Sequence, residues 1–199
     1  MAHTTSSRDE IFLKYVLIES GRAIRHFDKT FQLASEVSVT PVGESREFLS
    51  VLDALHAGLH FYANVSRVFW PPKGSRREES SQKLRTLCDL ADDHLMSNRR
   101  LRDHVEHMDE RIEDWTTNGR IPYLTYEMVD YFPEDALNTP IKDVTLLIYN
   151  AVSREVRIRG EVYKIDNLRR AVLDVQQKAS AGFGKLIAQW PSQPDGSGH

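Results

Sequence analysis

Four side chains that could carry acid–base or phosphate chemistry lie within six residues of one predicted helix: Arg102, Asp103, His104 and His107. They open the stretch LRDHVEHMDERIEDW, residues 101–115. An imidazole beside a carboxylate can transfer protons near neutral pH, and a guanidinium can hold a phosphate through two parallel hydrogen bonds. Together, a histidine that moves a proton and an arginine that stabilises an oxyanion are the minimum equipment for cleaving RNA without a metal.

Two other interpretations of the same stretch start from the residue spacing. His104 and His107 are three apart, and His56 and His60 are four apart on an earlier helix. Imidazoles at either spacing can share a metal ion, but zinc and iron sites usually take three or four ligands. The sequence has no His-Glu-x-x-His motif. We therefore predict no metal and no cofactor.

The acidic residues of the stretch favour a solvated surface. Glu106, Glu110 and Asp114 follow one another along one helix face, where opposite charges four residues apart stabilise a helix by a few tenths of a kcal/mol each. Asp103 and His107 are also four apart, so a purely structural contact between them is an alternative to a catalytic one. The apolar neighbours Leu101 and Val105 predict that the motif lies at the edge of a helix–helix or subunit interface.

The segment from Arg102 to His107 resembles the Arg-[Asn/Asp/His]-x-x-x-His signature of the HEPN superfamily, a group of small helical-bundle proteins. Arg99 and His104 fit the looser Arg-x4-His form but lack the polar residue after the arginine. Residues 62–72, YANVSRVFWPP, and the LRDHVEHMDERIEDW stretch also resemble an uncharacterised bacterial helical family of HEPN-like type.

The resemblance implies a homodimer in which two copies of the motif meet in a cleft and cleave RNA without a metal. His107 would be the general acid or base, Arg102 would hold the scissile phosphate and stabilise the phosphorane, and Asp103 would orient them. The accessory residues in this prediction are His104, Arg99, Asn64 and Arg67. Other proteins of this fold are inactive, so the alternative function is a non-catalytic module that binds a ligand, a nucleotide, or a partner such as an antitoxin.

Five helices are predicted to position these residues, over about residues 7–33, 44–69, 77–91, 98–117 and 167–181. In the first helix, the residues that recur at helical spacing are Ile11, Tyr15, Ile18, the aliphatic stem of Arg22 and the run from Ile24 to Phe27. Ser7 is its expected cap, with Glu10 three residues on. A connector, with Ser97 as the cap of the fourth helix, is favoured over one continuous helix through residues 77–117. Asp166 is the expected cap of the last helix.

The fold class predicted is mainly α, a bundle of four to five helices of HEPN-like type with a small β-hairpin element near the C-terminus. YLTYEMV and TLLIYNAV are β-prone, and EVRIRGEVYKI alternates as a strand pair does. We expect one domain over residues 8–190, with disordered ends at residues 1–7 and 191–199.

Charge and cysteine content narrow the class of protein. The net charge of −3 argues against a protein that coats nucleic acid. Residues 141–190 nevertheless hold nine Lys and Arg against five Asp and Glu, and with Arg99 and Arg100 they are where we expect an RNA strand. The single cysteine, Cys88, excludes an internal disulfide. With no signal peptide or membrane span apparent, a cytoplasmic location and no membrane partner are expected.

Overall fold

The structure is a computed structural model that describes residues 7–37, 46–107, 110, 113, 117, 126–129, 147–158 and 161–188. The elements within these residues are, in chain order, α1 (Arg8–Glu36), α2 (Arg46–Phe69), α3 (Glu78–Leu87), a 3₁₀ turn (Leu95–Ser97), α4 (Arg99–Glu106), β1 (Tyr126–Val129), β2 (Leu147–Asn150), β3 (Glu155–Ile158), β4 (Glu161–Lys164) and α5 (Ile165–Ala188). The predicted class, mainly helical with a small β element towards the C-terminus, is confirmed.

Helix α1 packs against α2, and the two run antiparallel. Glu19, early in α1, accepts a hydrogen bond from Asn64, late in α2, at 2.8 Å. Phe27, further along α1, lies against Gly58, which comes earlier in α2. A β-carbon added at Gly58 would lie 2.7 Å from the Phe27 ring, so the close approach of the two helices requires glycine there.

Helix α5 packs along another side of α1, also antiparallel. Arg169, near the start of α5, binds Asp28, and the Lys14 ammonium lies 5.7 Å from the centre of the Phe183 ring. Helix α1 is thus covered on two sides, by α2 and by α5.

Only part of the set predicted at helical spacing in α1 faces the core. Phe27 is buried, whereas Ile11, Tyr15 and Ile18 are 57%, 41% and 54% exposed. The stripe that faces the core consists of Leu13, Val16, Ser20, Ala23, Phe27, Thr30 and Ala34. Both sets recur at three- and four-residue spacing, so periodicity identifies two stripes but does not say which one the fold covers.

The predicted break between α3 and α4 is confirmed, with a different cap. Asp89 takes a left-handed conformation (φ 55°), and Leu90 N–H donates to the carbonyl of Arg85 at 2.9 Å, which ends α3. Helix α4 then begins at Arg99, and the side-chain oxygen of the preceding Asn98 accepts from Arg100 N–H at 3.0 Å. Ser97 belongs to the preceding 3₁₀ turn. The side-chain oxygen of Asn98 therefore caps α4, whereas the sequence predicted that the hydroxyl of Ser97 would do so.

The fourth helix is shorter than predicted, since α4 ends at Glu106 and His107 interrupts it. Glu110, Glu113 and Thr117 are helical. Met108, Ile112 and Trp115, which continue the helical spacing of Leu101 and Val105 in the sequence, lie outside the described residues.

The sheet has strand order β1-β2-β3-β4. Strand β1 pairs in parallel with β2, while β2 with β3 and β3 with β4 are antiparallel. This confirms the predicted strand pair of EVRIRGEVYKI. Helix α5 follows β4 directly at Ile165, so Asp166 lies in its first turn and is not its cap.

Helix α5 continues through Gly182 and Gly184 to Ala188, whereas the predicted helix ended at about residue 181. A β-carbon at Gly182 would lie 2.7 Å from Sγ of the buried Cys88, so this glycine permits close packing against the end of α3. The burial of Cys88 raises the pKa of its thiol to about 11.

Ser7, assigned to a disordered end, caps α1 by accepting from Glu10 N–H, as its sequence position also suggested. Residues 1–6 and 191–199 lie outside the described residues. No helix in the described ranges is both long and apolar enough to cross a membrane.

Candidate functional site

The two ends of the Arg102–His107 motif lie in different surroundings. Arg102 is in the middle of α4, whereas His107 follows its last residue with φ −117° and ψ 37°. Five residues of an α-helix rotate a side chain by about 140° relative to the first, so the two side chains leave the helix in divergent directions. The structure therefore does not bring the guanidinium and the imidazole of one chain together.

The Arg102 side chain is buried, with 2% of it exposed. Its Nη1 donates to the carbonyl oxygen of Trp70 at 2.7 Å, and its Nε lies 3.7 Å from Oδ1 of Asp103. Burial, as the largest cause, lowers the pKa of this guanidinium, and the nearby carboxylate of Glu106 opposes that shift. Arg102 thus anchors α4 to the chain that follows α2.

The end of α2 explains why an arginine is needed at this position. Its last carbonyls have no helical N–H partner, and Pro71 and Pro72 have no N–H to offer. Side chains from later in the chain supply the donors: Ser81 Oγ binds the carbonyl of Val68 at 2.8 Å, Arg85 binds that of Phe69, and Arg102 binds that of Trp70. Cations are also favoured at the negative end of a helix dipole.

His107 is accessible, with 45% of its side chain exposed. Its Nδ1 lies 3.2 Å from Oε1 of Glu110, which leaves Nε2 directed away from that carboxylate. Asp103, which was predicted to orient His107 or Arg102, has its side chain beside Arg102, and its main-chain carbonyl accepts the His107 N–H. Glu110 is the residue that sequence reasoning missed, although its i+3 spacing from His107 was visible.

His104, on α4, faces the sheet. Its Nε2 is 3.8 Å from Oε2 of Glu161 on β4. The same carboxylate accepts from Tyr163 Oη at 2.5 Å and from Arg100 Nη1 at 3.2 Å. The bond from Tyr163 is the largest cause of the lowered pKa of Glu161. This position favours a role for His104 in holding α4 to β4.

The other accessory residues divide between two neighbourhoods. Asn64 turns towards α1, where it binds the buried Glu19. Arg67 bridges α2 and α4 by binding Glu106 with 2.5 Å between Nη2 and Oε2, one residue before His107. Arg99 is exposed on the first turn of α4. Through this ion pair, the Arg67 side chain contacts the residue that directly precedes His107.

Several cations of the C-terminal segment are paired with carboxylates. The ion pairs are Arg154–Asp166 at 3.5 Å, Lys164–Glu155 at 3.6 Å, Arg169–Asp28 at 2.6 Å and Lys178–Asp174 at 3.2 Å. Arg100 of α4 is likewise paired with Glu161. Lys142 and Arg159 lie outside the described residues. These pairs include four of the seven described cations of residues 141–190, but only Asp28 comes from outside the segment, so the pairs offset one unit of its excess positive charge.

Within the described residues, no group of three or more His, Cys, Asp and Glu side chains is placed to hold one metal ion. His56 on α2 is largely buried, and desolvation lowers the pKa of its imidazole against the opposing effect of Asp53. A shallow depression, lined by Glu79, Gln82, Lys83, Thr86 and Leu87, lies on α3.

Comparison with family models, with curated proteins and with solved structures found no match to this chain.

Proposed function

We propose that this protein cleaves RNA without a metal and that His107 is its proton-transfer group. One observation carries the proposal: the imidazole of His107 is accessible and has a carboxylate, that of Glu110, on Nδ1 at 3.2 Å. A carboxylate on one ring nitrogen fixes the tautomer and leaves the other nitrogen to exchange a proton with substrate. The HEPN-like motif that contains His107 points to the same chemistry.

In the proposed reaction, Nε2 of His107 takes the proton of an RNA 2′-hydroxyl, and that oxygen bonds to the adjacent phosphorus. The bond from phosphorus to the 5′-oxygen breaks, and this oxygen takes a proton from the protonated His107 of a second copy. The products are a 2′,3′-cyclic phosphate and a 5′-hydroxyl, so atoms and protons balance. A homodimer is part of the proposal because the step needs one base and one acid.

Arg102 has a structural role in this proposal. Its guanidinium is buried and donates to Trp70, so it fixes the helix that ends at His107. Arg67 is a cation that contacts the last residue of α4, through its bond to Glu106. Arg67 is half exposed and is our candidate for the group that stabilises the phosphorane.

The test is cleavage of a labelled single-stranded RNA by the purified protein in EDTA. His107→Ala should reduce the cleavage rate by at least about 100-fold, and Glu110→Gln by about tenfold. His60→Ala is the matched control, because it removes an exposed imidazole from α2. Cleavage by the His107→Ala protein at the rate of the His60→Ala protein would contradict the proposal.

A non-catalytic binding or oligomerisation module is the second candidate, and the burial of Arg102 favours it. An arginine that is 2% exposed and bound to a main-chain carbonyl cannot also hold a scissile phosphate in the same conformation. This candidate predicts that the wild-type protein leaves RNA uncut and that Arg102→Ala affects only folding. The cleavage assay above separates the two candidates.

A further inference from the structure

An unusual arrangement of arginines surrounds Phe12, on the side of α1 away from α5. The Arg77 guanidinium lies 4.7 Å from the centre of the Phe12 ring, and the Arg8 guanidinium lies 5.5 Å from the same centre. Each contact is a favourable cation–π interaction. Two like charges that share one ring nevertheless repel each other, so the arrangement calls for a negative charge nearby.

Arg77 has no such charge among the described residues. Its Nε and Nη2 are buried from solvent and have no hydrogen-bond partner there. Burial is the largest cause of a lowered pKa for Arg77, and the positive charges of Arg8 and Arg67 lower it further. A guanidinium with unsatisfied, desolvated N–H groups is a strong donor site for an anion.

Two carboxylates that act on Tyr15 or Arg67 already have partners. Glu19 is buried and accepts from Arg22 at 2.9 Å and from Asn64 at 2.8 Å. Glu106 is bound to Arg67. Neither carboxylate contributes to the pKa of Arg77. Arg77 is therefore not neutralised by either of them, whereas Arg67 shares its charge with Glu106.

An exposed aromatic ring lies one turn after Phe12 on α1. This residue, Tyr15, is 41% exposed. Burial is the largest cause of the raised pKa of its hydroxyl. The carboxylate of Glu19, to which the hydroxyl is hydrogen-bonded, raises this pKa further, and the positive charges of Arg67 and Arg22 oppose the shift. Arginines around an exposed ring are the combination by which proteins hold a phosphate and stack the attached base.

We propose that Arg8, Arg67 and Arg77, which we name the arginine cluster, bind a phosphate group whose attached base stacks on Tyr15. Guanidinium groups suit phosphate because their planar N–H pairs match two of its oxygens. The ligand carries a base as well as a phosphate, either as a nucleic-acid strand or as a free nucleotide. The choice of RNA as the strand rests on the function proposed above, while the anion site itself does not.

The backbone holds the cluster in place. Arg77 is the residue before the first turn of α3, and its carbonyl accepts from Ser81 N–H at 2.8 Å. Arg8 and Arg67 are on α1 and α2, which are packed together along their length. Three rigid elements therefore present the three guanidinium groups, which limits the loss of entropy on binding.

The experiment measures binding of a fluorescent single-stranded RNA by anisotropy, with ATP and inorganic phosphate as competitors. Arg77→Glu should weaken RNA binding by about tenfold or more and reduce its salt dependence. Arg25→Glu is the matched control, because it makes the same charge change at an exposed site on α1 and should alter affinity by less than about threefold. Arg8→Glu is the second test variant; Arg8 is exposed, so its substitution should not impair folding.

The competitors identify the source of the phosphate. Displacement of RNA by ATP at a concentration at which inorganic phosphate has no effect supports a nucleotide site, and failure of both competitors supports a strand. Equal affinities for the Arg77→Glu, Arg8→Glu and Arg25→Glu proteins would overturn the arginine cluster, as would absence of binding to RNA and ATP alike.

His107→Ala separates this proposal from the proposed function. The His107→Ala protein should bind RNA as the wild type does, because His107 is not part of the cluster. Cluster-dependent binding without cleavage by the wild type would contradict the ribonuclease proposal and leave the arginine cluster supported. Cleavage that is unaffected by Arg77→Glu and Arg8→Glu would contradict the arginine cluster and leave the ribonuclease proposal supported.

Discussion

The helical region from α1 to α4 and the C-terminal region from β3 to α5 each use an arginine to join two elements, but the two arginines have different partners. Arg102 of the helical region is buried and donates to the main-chain carbonyl of Trp70. Arg169 of the C-terminal region is partly exposed and forms an ion pair with Asp28 of α1. Burial and the kind of partner, rather than the number of cations along the sequence, therefore decide what an arginine contributes to the fold.

The largest effect should come from removing the buried arginine of the helical region. Arg102→Ala should reduce the free energy of unfolding by about 3 kcal/mol, because it leaves a cavity and an unsatisfied carbonyl at Trp70. Chemical denaturation measures this, with the exposed Arg100→Ala as control. A loss below about 1 kcal/mol would show that the Trp70 contact does not hold α4, and would remove the contrast with the C-terminal region.

Two glycines should give effects of opposite sign in the two regions. Gly58→Ala should destabilise the protein by about 1–3 kcal/mol, because the new β-carbon meets the buried Phe27 ring. Gly184→Ala on α5 has open space around its β-carbon and should stabilise the protein by about 0.5–1 kcal/mol through helix propensity. Thermal melts of both variants provide the measurement. Destabilisation by both would mean that α5 is packed more tightly at Gly184 than described.

A smaller effect is expected for the ion pair between α5 and α1. Arg169 makes two hydrogen bonds to Asp28, at 2.6 and 3.1 Å, but the Asp28 side chain is half exposed. A double-mutant cycle of Arg169→Ala and Asp28→Ala should therefore give a coupling of about 0.5–1 kcal/mol. A coupling free energy as large as the loss of stability in Arg102→Ala would contradict the expectation that the Arg169–Asp28 ion pair stabilises the fold less than the buried Arg102 does.

The smallest effect concerns Glu161, where the two regions touch. Its pKa is lowered in the folded state, first by the bond from Tyr163, so the carboxylate contributes stability above its unfolded pKa of 4.5. That contribution is lost as the pH falls from about 4.5 through the lower folded pKa. Between pH 5 and 3, the wild type should therefore lose more stability than Glu161→Gln. Parallel losses in the two proteins would show that the Tyr163 bond does not favour the charged form.

The sequence predicted the helices and the hairpin well because their signals are local. Apolar spacing, the Ser7 cap and the prolines after Trp70 each act within a few residues. The sequence did not predict which face of α1 is buried, because two stripes of residues have the same helical spacing. The exposed stripe through Tyr15 has the same period as the buried stripe through Val16, and only packing against α2 and α5 decides between them.

The candidate site was less predictable, because the main partner of Arg102 is distant from it in the sequence. The sequence singled out Arg102 and His107, but a motif does not show which groups each side chain contacts. Trp70 is 32 residues before Arg102, so the carbonyl that binds this arginine gives no local signal. Glu110, by contrast, was within reach of a spacing argument.

The dependence of α2 on later residues has a consequence for the order of folding. The carbonyls of Val68, Phe69 and Trp70 are bound by side chains 13, 16 and 32 residues further along the chain. During synthesis, the α1–α2 pair therefore emerges with an open helix end, which closes only after α4 has left the ribosome. We expect the end of α2 to fray in a nascent chain and to become protected together with α3 and α4, as one cooperative unit in hydrogen exchange.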